Sequence, residues 1–176
     1  ALGIEESRAD VFAISPVGRK ERRLDLKGNV SLLRRPDSGA EERVTSERLT
    51  IEFLAEGALE HVVASGNTVV EHRESGEVRR LEARDSVEVF YRDGQLDRTV
   101  AKGDAVLKQS RKDEESRVEA SEMEAWFEQR TLKKVAARGG VAWSRRLQEK
   151  RSSSSSSQLL LVYEKGRIVE SLRGFL

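Results

Sequence analysis

The chain has no cysteine among its 176 residues, so disulfides, thiolate nucleophiles and cysteine-ligated zinc are excluded. This absence is neutral between a reducing cytosol and an oxidising periplasm. No basic block exists: 32 basic and 31 acidic side chains are interspersed and leave a formal charge of +1, which argues against nucleic acid as a partner. No run approaches the roughly 18 to 20 apolar residues of a membrane-spanning helix. No initiator methionine precedes Ala1-Leu2-Gly3, which suggests a cleaved signal peptide or a trimmed amino terminus, with any membrane anchor lying upstream.

Catalytic motifs are missing as well. His61 and His72 are the only histidines and read as surface residues. The serines have no Gly-x-Ser-x-Gly setting, the carboxylates form no distinctive acid and base pair, and Gly139-Gly140 is not followed by the Lys-Ser or Lys-Thr of a phosphate loop. The expectation is a protein that is no enzyme and has no cofactor and no metal. At 37% apolar and 36% charged, the chain is also poorly supplied for a thick globule. A flattened, quasi-one-dimensional architecture fits better.

What the chain does have is a period. Gly28, Gly66, Gly103 and Gly139, with an echo at Gly174, fall at intervals of 38, 37, 36 and 35 residues, and each of the first four opens a similar phrase, such as Gly28-Asn29-Val30 and Gly66-Asn67-Thr68. Such a period marks one supersecondary unit stacked on its own copies, and stacked units build continuous surfaces. The division is one domain over 1–176, with a partial repeat at 9–27 and repeats at 28–65, 66–102, 103–138 and 139–176.

Between the glycines, apolar and polar residues alternate, as in Leu49-Thr50-Ile51-Glu52-Phe53 and Val87-Glu88-Val89-Phe90-Tyr91, which is the pattern of half-buried strands. Val118 to Lys134 is rich in helix formers, but its counterparts in the preceding copies are rich in Val, Thr, Ile and Phe, and the repeat makes it a strand. Tight turns are expected at 55–57, 92–94, 128–130 and 164–166, and longer polar loops at 34–43, 73–80, 110–117 and 145–157. Each long segment between turns has its glycine at the middle, where glycine signals a bulge or bend. A single strand is thus expected to fold over a corner from one sheet into a facing one, with the small residues Ser46, Ala83 and Ala120 at the midpoints of the returning segments. In the amino-terminal partial repeat, Ala9 to Ser15 should be a returning strand, followed by a turn at 16–20. The six serines Ser152–Ser157 read as a flexible or placeholder segment at a loop and strand start.

Counting two and four residues past each glycine gives inward positions that include Val30, Leu32, Val70, Leu107 and Trp143. The two and four positions before each glycine also point inward by this count, although Val63 and Val100 suit a one-residue shift. The returning segments stack in three ladders: Leu49, Val87, Met123 and Leu159; Ile51, Val89, Ala125 and Leu161; Phe53, Tyr91, Phe127 and Tyr163. These ladders pack one layer on the next or line the mouth of an apolar groove. Arg34, Arg35, Arg79 and Arg80 are candidate headgroup contacts, or simply solvated loop residues.

The phrases Val44-Thr-Ser-Glu-Arg-Leu-Thr-Ile-Glu-Phe and Leu59-Glu-His-Val-Val-Ala-Ser-Gly-Asn, repeated as Leu81-Glu-Ala-Arg-Asp-Ser-Val-Glu-Val-Phe through Val100-Ala-Lys-Gly-Asp, resemble the repeat of the OstA-like family. These are periplasmic lipopolysaccharide-transport proteins: LptA, LptC and the amino-terminal domain of LptD. The resemblance covers residues 9 to 176. It implies an all-β fold, a V-shaped antiparallel β-jellyroll whose trough holds acyl chains of lipopolysaccharide or a similar glycolipid. It also implies a periplasmic location, and partners of the same family joined by edge-strand addition or head-to-tail self-association. The chain departs from the family pattern at Gln129-Arg130, which replaces a turn glycine, and at Trp126 and Trp143, which are bulky for a roomy groove. The rival readings are a self-assembling β-solenoid scaffold without ligand and a carbohydrate-binding β module.

Overall fold

The computed structural model describes residues 4–16, 22–35, 39–54, 57–93, 95–129, 131–165 and 167–174. Among them are thirteen strands: β1 (Ile4–Arg8), β2 (Val11–Pro16), β3 (Arg22–Arg34), β4 (Glu41–Phe53), β5 (Leu59–Ser65), β6 (Thr68–Glu74), β7 (Glu77–Ala83), β8 (Ser86–Arg92), β9 (Gln95–Arg111), β10 (Glu114–Glu128), β11 (Thr131–Leu147), β12 (Lys150–Glu164) and β13 (Arg167–Arg173). Every pairing is antiparallel. The expected all-β antiparallel class is what the chain adopts.

The long strands each serve two walls. One wall runs β1, the second half of β3, the first half of β4, β6, β7, the second half of β9, the first half of β10, the second half of β11 and the first half of β12. The other runs β2, then the remaining halves interleaved with β5 and β8, and ends at β13. We call them the first and second wall. The line where strands pass from one to the other is the crease.

The marker glycines sit on that crease. Gly66 and Gly103 have φ of +77° and +82°, and the residues after them, Asn67 and Asp104, are also left-handed at +45° and +49°. Two left-handed residues in a row turn the strand sharply, and Asn and Asp tolerate that region best after glycine. The neighbouring strand closes tightly on the bend: a Cβ on Gly103 would lie 2.8 Å from the backbone nitrogen of Asp85. Side chains then tie the bend across, Asn67 Nδ2 donating to Glu47 Oε1 at 2.8 Å and Arg84 pairing with Asp104 at 2.6 Å. Ser46, Ala83 and Ala120 are buried beside the crease, where larger side chains would collide.

The inward parity holds on both sides of the glycines. Leu26, Ala64, Ala101 and Ala137, two before each glycine, are buried, and Val63 and Val100 are not inner-face residues. Along the second wall the row nearest the crease reads Leu49, Ala64, Val87, Ala101, Met123, Ala137 and Leu159, each paired with the next. Large and small alternate. Interdigitation of that kind lets a narrow layer reach interior packing density, and each fully buried Leu or Val contributes about 1.5–3 kcal/mol.

Several expectations need correction. The polar segments at 73–80, 110–117 and 145–157 are not long loops, because strands continue through them to two-residue turns at Ser75-Gly76, Lys112-Asp113 and Gln148-Glu149. Their charges pair along and across strands, for example Arg80 of the same strand and Lys108 of the next both at 2.8 Å from Glu82, so polarity there reflects a solvated sheet face. The six serines are part of β12, and Ser152 to Ser156 pair with Arg145 to Val141 of β11 up to the bulge at Ser157. Ahead of the partial repeat expected at 9–27, β1 pairs with the second half of β3, while β2 pairs with its first half. The tight turns proposed at 16–20, 55–57, 92–94, 128–130 and 164–166 lie partly outside the described residues.

Candidate functional site

Two buried clusters flank a cavity. The amino-terminal cluster centres on Leu26, Val30, Leu49, Ile51 and Ala64, and the larger carboxy-terminal one on Val87, Val118, Met123, Val135, Trp143, Leu161 and Tyr163. Between them the walls separate around a cavity of about 240 Å³. The first wall contributes Leu32, Val44, Val70, Leu81 and Leu107, successive members of one cross-strand row. The second contributes Ile51, Val62, Val89, Thr99, Ala125 and Val135, again one row. The cavity is a stretch of trough where both inner faces are apolar and neither fills the gap.

Farther from the crease the walls differ. The next row of the first wall is polar throughout: Arg34, Glu42, His72, Arg79, Gln109, Ser116, Arg145 and Ser152. The matching row of the second wall is apolar: Phe53, Leu59, Tyr91, Leu96, Phe127, Leu132, Tyr163 and Ile168, with a bulge at each of its hairpins. The mouth is thus ionised on one side and aromatic on the other.

The polar row is paired within itself and with the row beyond it. Arg34 meets Glu42 at 3.3 Å, Arg145 meets Glu114 at 2.8 Å, and Arg79 pairs with Glu77. His72 lies between carboxylates, 3.6 Å from Glu42 and 3.5 Å from Glu74. Gln109 Nε2 donates to Glu77 at 3.0 Å. Across from this network the Tyr163 hydroxyl, and on the network's own wall the Trp143 indole nitrogen, are buried without a hydrogen-bond partner. Burial pushes the Tyr163 phenol far above its ordinary range; Arg79 opposes this with a smaller lowering and Glu114 adds a smaller rise.

The two ends of the trough are unlike. At the carboxy-terminal end Trp143, Leu161 and Tyr163 fill the space, the Arg173 guanidinium lies 5.7 Å over the Trp143 ring, and Arg111 of the first wall donates to the Lys165 carbonyl of the second at 3.3 Å. At the amino-terminal end the inner rows run out onto β2, where Phe12 pairs with Leu26 and Ile14 with Leu24. Phe12 is 54% exposed and Ile14 76%.

Of the groove residues read from sequence, Leu32, Leu49, Ile51, Val70, Val89, Tyr91, Leu107, Met123 and Phe127 line the cavity. Val30, Val87, Trp143, Leu161 and Tyr163 lie in the packed clusters, and Phe53 packs against the amino-terminal one. Arg34 and Arg79 stand at the cavity mouth, whereas Arg80 points outward to Glu82 and Glu71, and exposed Arg35 bonds Glu41. Glu42 and Gln109 went unremarked in the sequence and His72 read only as a surface residue, although parity counted six from Gly66 and Gly103 reaches His72 and Gln109, and His72 lines the cavity mouth. His61 is on the outer face, stacked on Phe90 with centroids 4.5 Å apart, beside Arg98, which lies 4.4 Å over the same ring. Among the described residues no cluster of His, Asp and Glu could hold a metal ion. No family model, curated protein or solved structure matches this chain.

Proposed function

We propose that the chain is a non-enzymatic lipid-binding protein that shelters acyl chains in its trough, serving as a periplasmic bridge for lipopolysaccharide or a related glycolipid. The observation that carries this reading is the cavity between two apolar inner rows, left unfilled while both neighbouring clusters are packed. An empty apolar space of this kind favours an apolar occupant, since burying each CH₂ contributes about 0.8 kcal/mol. The resemblance of the repeats to the OstA-like family supplies the cargo class, the compartment and the mode of partnership by edge strands or by head-to-tail self-association. The uncovered β2 edge with Phe12 and Ile14 suits that partnership. The packed carboxy-terminal end favours the rival reading, a closed scaffold without ligand.

The test is organic extraction of the purified protein with mass spectrometry of the extract, together with photocrosslinking residues placed at Leu107, Tyr91 and, as an outer-face control, Leu172. The expected result is co-purified glycolipid and adducts at Leu107 and Tyr91 alone. Lipid-free protein with no adduct at either inner position would sink the proposal.

A further inference from the structure

The carboxy-terminal end of the trough is closed by packing that leaves polar atoms of its own unserved. Three buried donors there have no hydrogen-bond partner: the Trp143 indole nitrogen, the Tyr163 hydroxyl, and Arg145 Nε, which stands 2.8 Å from Glu114 Oε1 without the alignment of a hydrogen bond. Trp143 and Arg145 belong to the first-wall half of β11, and Tyr163 to the second-wall half of β12, so the orphaned atoms come from both sides of one seam. Nearly all buried polar groups in folded proteins have a partner. A seam with three exceptions holds its walls together by apolar contact while forgoing hydrogen bonds.

The crease beside that seam is built differently from the others. After Gly28, Gly66 and Gly103 the next residue ties the bend across, Asn29 to Asp10 at 3.4 Å, Asn67 to Glu47 at 2.8 Å and Asp104 to Arg84 at 2.6 Å. After Gly139 it is Gly140, at φ +66°, which has no side chain to tie and where a Cβ would meet nothing within 4 Å. Among the described residues this bend keeps one side-chain bond, from the Ser121 hydroxyl to the Gly139 carbonyl at 3.0 Å. Beyond it, β11 and β12 form the last hairpin of the first wall, paired to β10 on one side and bringing mostly serine to the other. The ties from wall to wall at this end are slight: the Arg111 bond to the Lys165 carbonyl at 3.3 Å and the Arg173 guanidinium 5.7 Å over the Trp143 ring.

Resting on the acyl-trough reading above, we infer that this end is a gate: the hairpin 141–156 swings about Gly139-Gly140, draws Trp143 away from Leu161 and Tyr163, and opens the trough so that an acyl chain passes along its axis. Closed, the gate keeps its apolar packing and lacks hydrogen bonds. Open, it loses the packing, and the three donors reach water or the oxygen atoms of a glycolipid head. Opposed contributions of this kind bring two arrangements close in free energy, and a ligand that favours one of them then shifts the balance. The doubled glycine supplies the movement, since a bend without side-chain ties and with the most permissive residue at both positions turns at little cost. A permanent end-cap has no use for either feature, and a bridge sealed at one end could not hand its cargo on.

The chain has no cysteine, so spin labels can be placed at will. Ser153→Cys with Arg167→Cys puts a pair on exposed positions of the two walls beside the gate, and Arg43→Cys with Glu60→Cys puts a control pair across the walls of the amino-terminal half. Distances are read by double electron–electron resonance before and after addition of purified deep-rough lipopolysaccharide, with photocrosslinking at Leu107 reporting binding. The lipid should raise the long-distance population of the gate pair at least threefold and leave the control pair unchanged. Gly140→Asn, which recreates the bend of Gly66-Asn67, should cut that population at least threefold. Adducts at Leu107 with an unmoved gate pair overturn the gate and leave acyl binding intact. So does equal widening of both pairs, and a Gly140→Asn variant that opens as fully as the parent overturns the assignment of the hinge. Absence of adducts at Leu107 refutes the acyl-trough reading and the gate with it. Should Gly140→Asn misfold, the response of the parent gate pair still decides.

Discussion

Replacing Gly103 with alanine should cost far more than the same change at Gly76, although both glycines have nearly the same backbone conformation, φ +82° and +78°. At either site an L-residue in the left-handed region carries roughly 1–2 kcal/mol of strain, offset by about 0.4–1 kcal/mol of reduced freedom in the unfolded chain. Those contributions cancel in the comparison. What differs is space. The added methyl meets nothing within 4 Å at Gly76, whereas at Gly103 it would stand 2.3 Å from the Asp85 carboxyl carbon and 2.8 Å from the Asp85 backbone nitrogen. The carboxylate can rotate away, but the nitrogen is held by its bond to the Lys102 carbonyl at 3.1 Å. Relief must therefore come from the crease itself, at the roughly 1–3 kcal/mol typical of overpacking. Gly103→Ala should lose about 2 kcal/mol more than Gly76→Ala, read from urea unfolding followed by circular dichroism, or as a Tm gap of about 4–8 °C in a chain of this size. Equal losses within about 0.5 kcal/mol would refute the claim that the crease needs the missing side chain as well as the φ angle.

Three further outcomes follow from groups already described. Tyr163→Phe removes a buried hydroxyl that lacks a partner, so near neutral pH the variant should be as stable as the parent or gain roughly 1 kcal/mol; a clear loss would mean that the hydroxyl is hydrogen-bonded. Because the folded-state pKa of Tyr163 is raised, its contribution is fully present below the unfolded phenol value of about 10 and is lost as pH climbs above it, so the parent should fall further behind Tyr163→Phe in alkaline unfolding curves. Lys108 first, and then Arg80, hold the Glu82 carboxyl below its usual range, so its contribution is present above about pH 4 and vanishes as pH falls through the depressed value; Glu82→Gln should destabilise at pH 7 and converge with the parent in acid. Ile14→Glu, at an exposed edge position, should change stability by no more than about 0.5 kcal/mol yet reduce self-association in sedimentation velocity, and unchanged association would remove β2 as the contact.

The period of the glycines carried the bent-strand fold into view because a left-handed pair is a local requirement, written in the residues that tolerate it: Gly66-Asn67 and Gly103-Asp104. The inner rows were legible for the same reason, since parity counted from a fixed bend leaves one choice of face, and Leu26, Ala64 and Ala101 follow it. Turn lengths were not legible. A run such as Glu71 to Arg80 is polar on both faces, outward because it is solvated and inward because His72 and Arg79 belong to the mouth, and a doubly polar strand looks like a loop in one dimension. Which groove residues face open space was equally hidden. Val89 and Val87 share a strand and a pattern, but one lines the cavity and the other is packed away, a difference set by how far apart the two walls stand at each distance from the crease.

The strand containing Ser152–Ser157 has a consequence for how this fold stores its alignment. Six identical small side chains give β11 no reason to prefer one offset over the next, and a slip by one residue would exchange serine for serine. The same strand, however, crosses the crease and continues as Leu159, Leu161 and Tyr163, which are buried on one face and admit a single offset. Position is thus fixed in one wall and transmitted along the covalent chain to the other, as a key fixes a shaft at one end only. A protein built from strands shared between two walls can leave part of one wall without any instruction of its own, and a homopolymer can be woven into a unique structure.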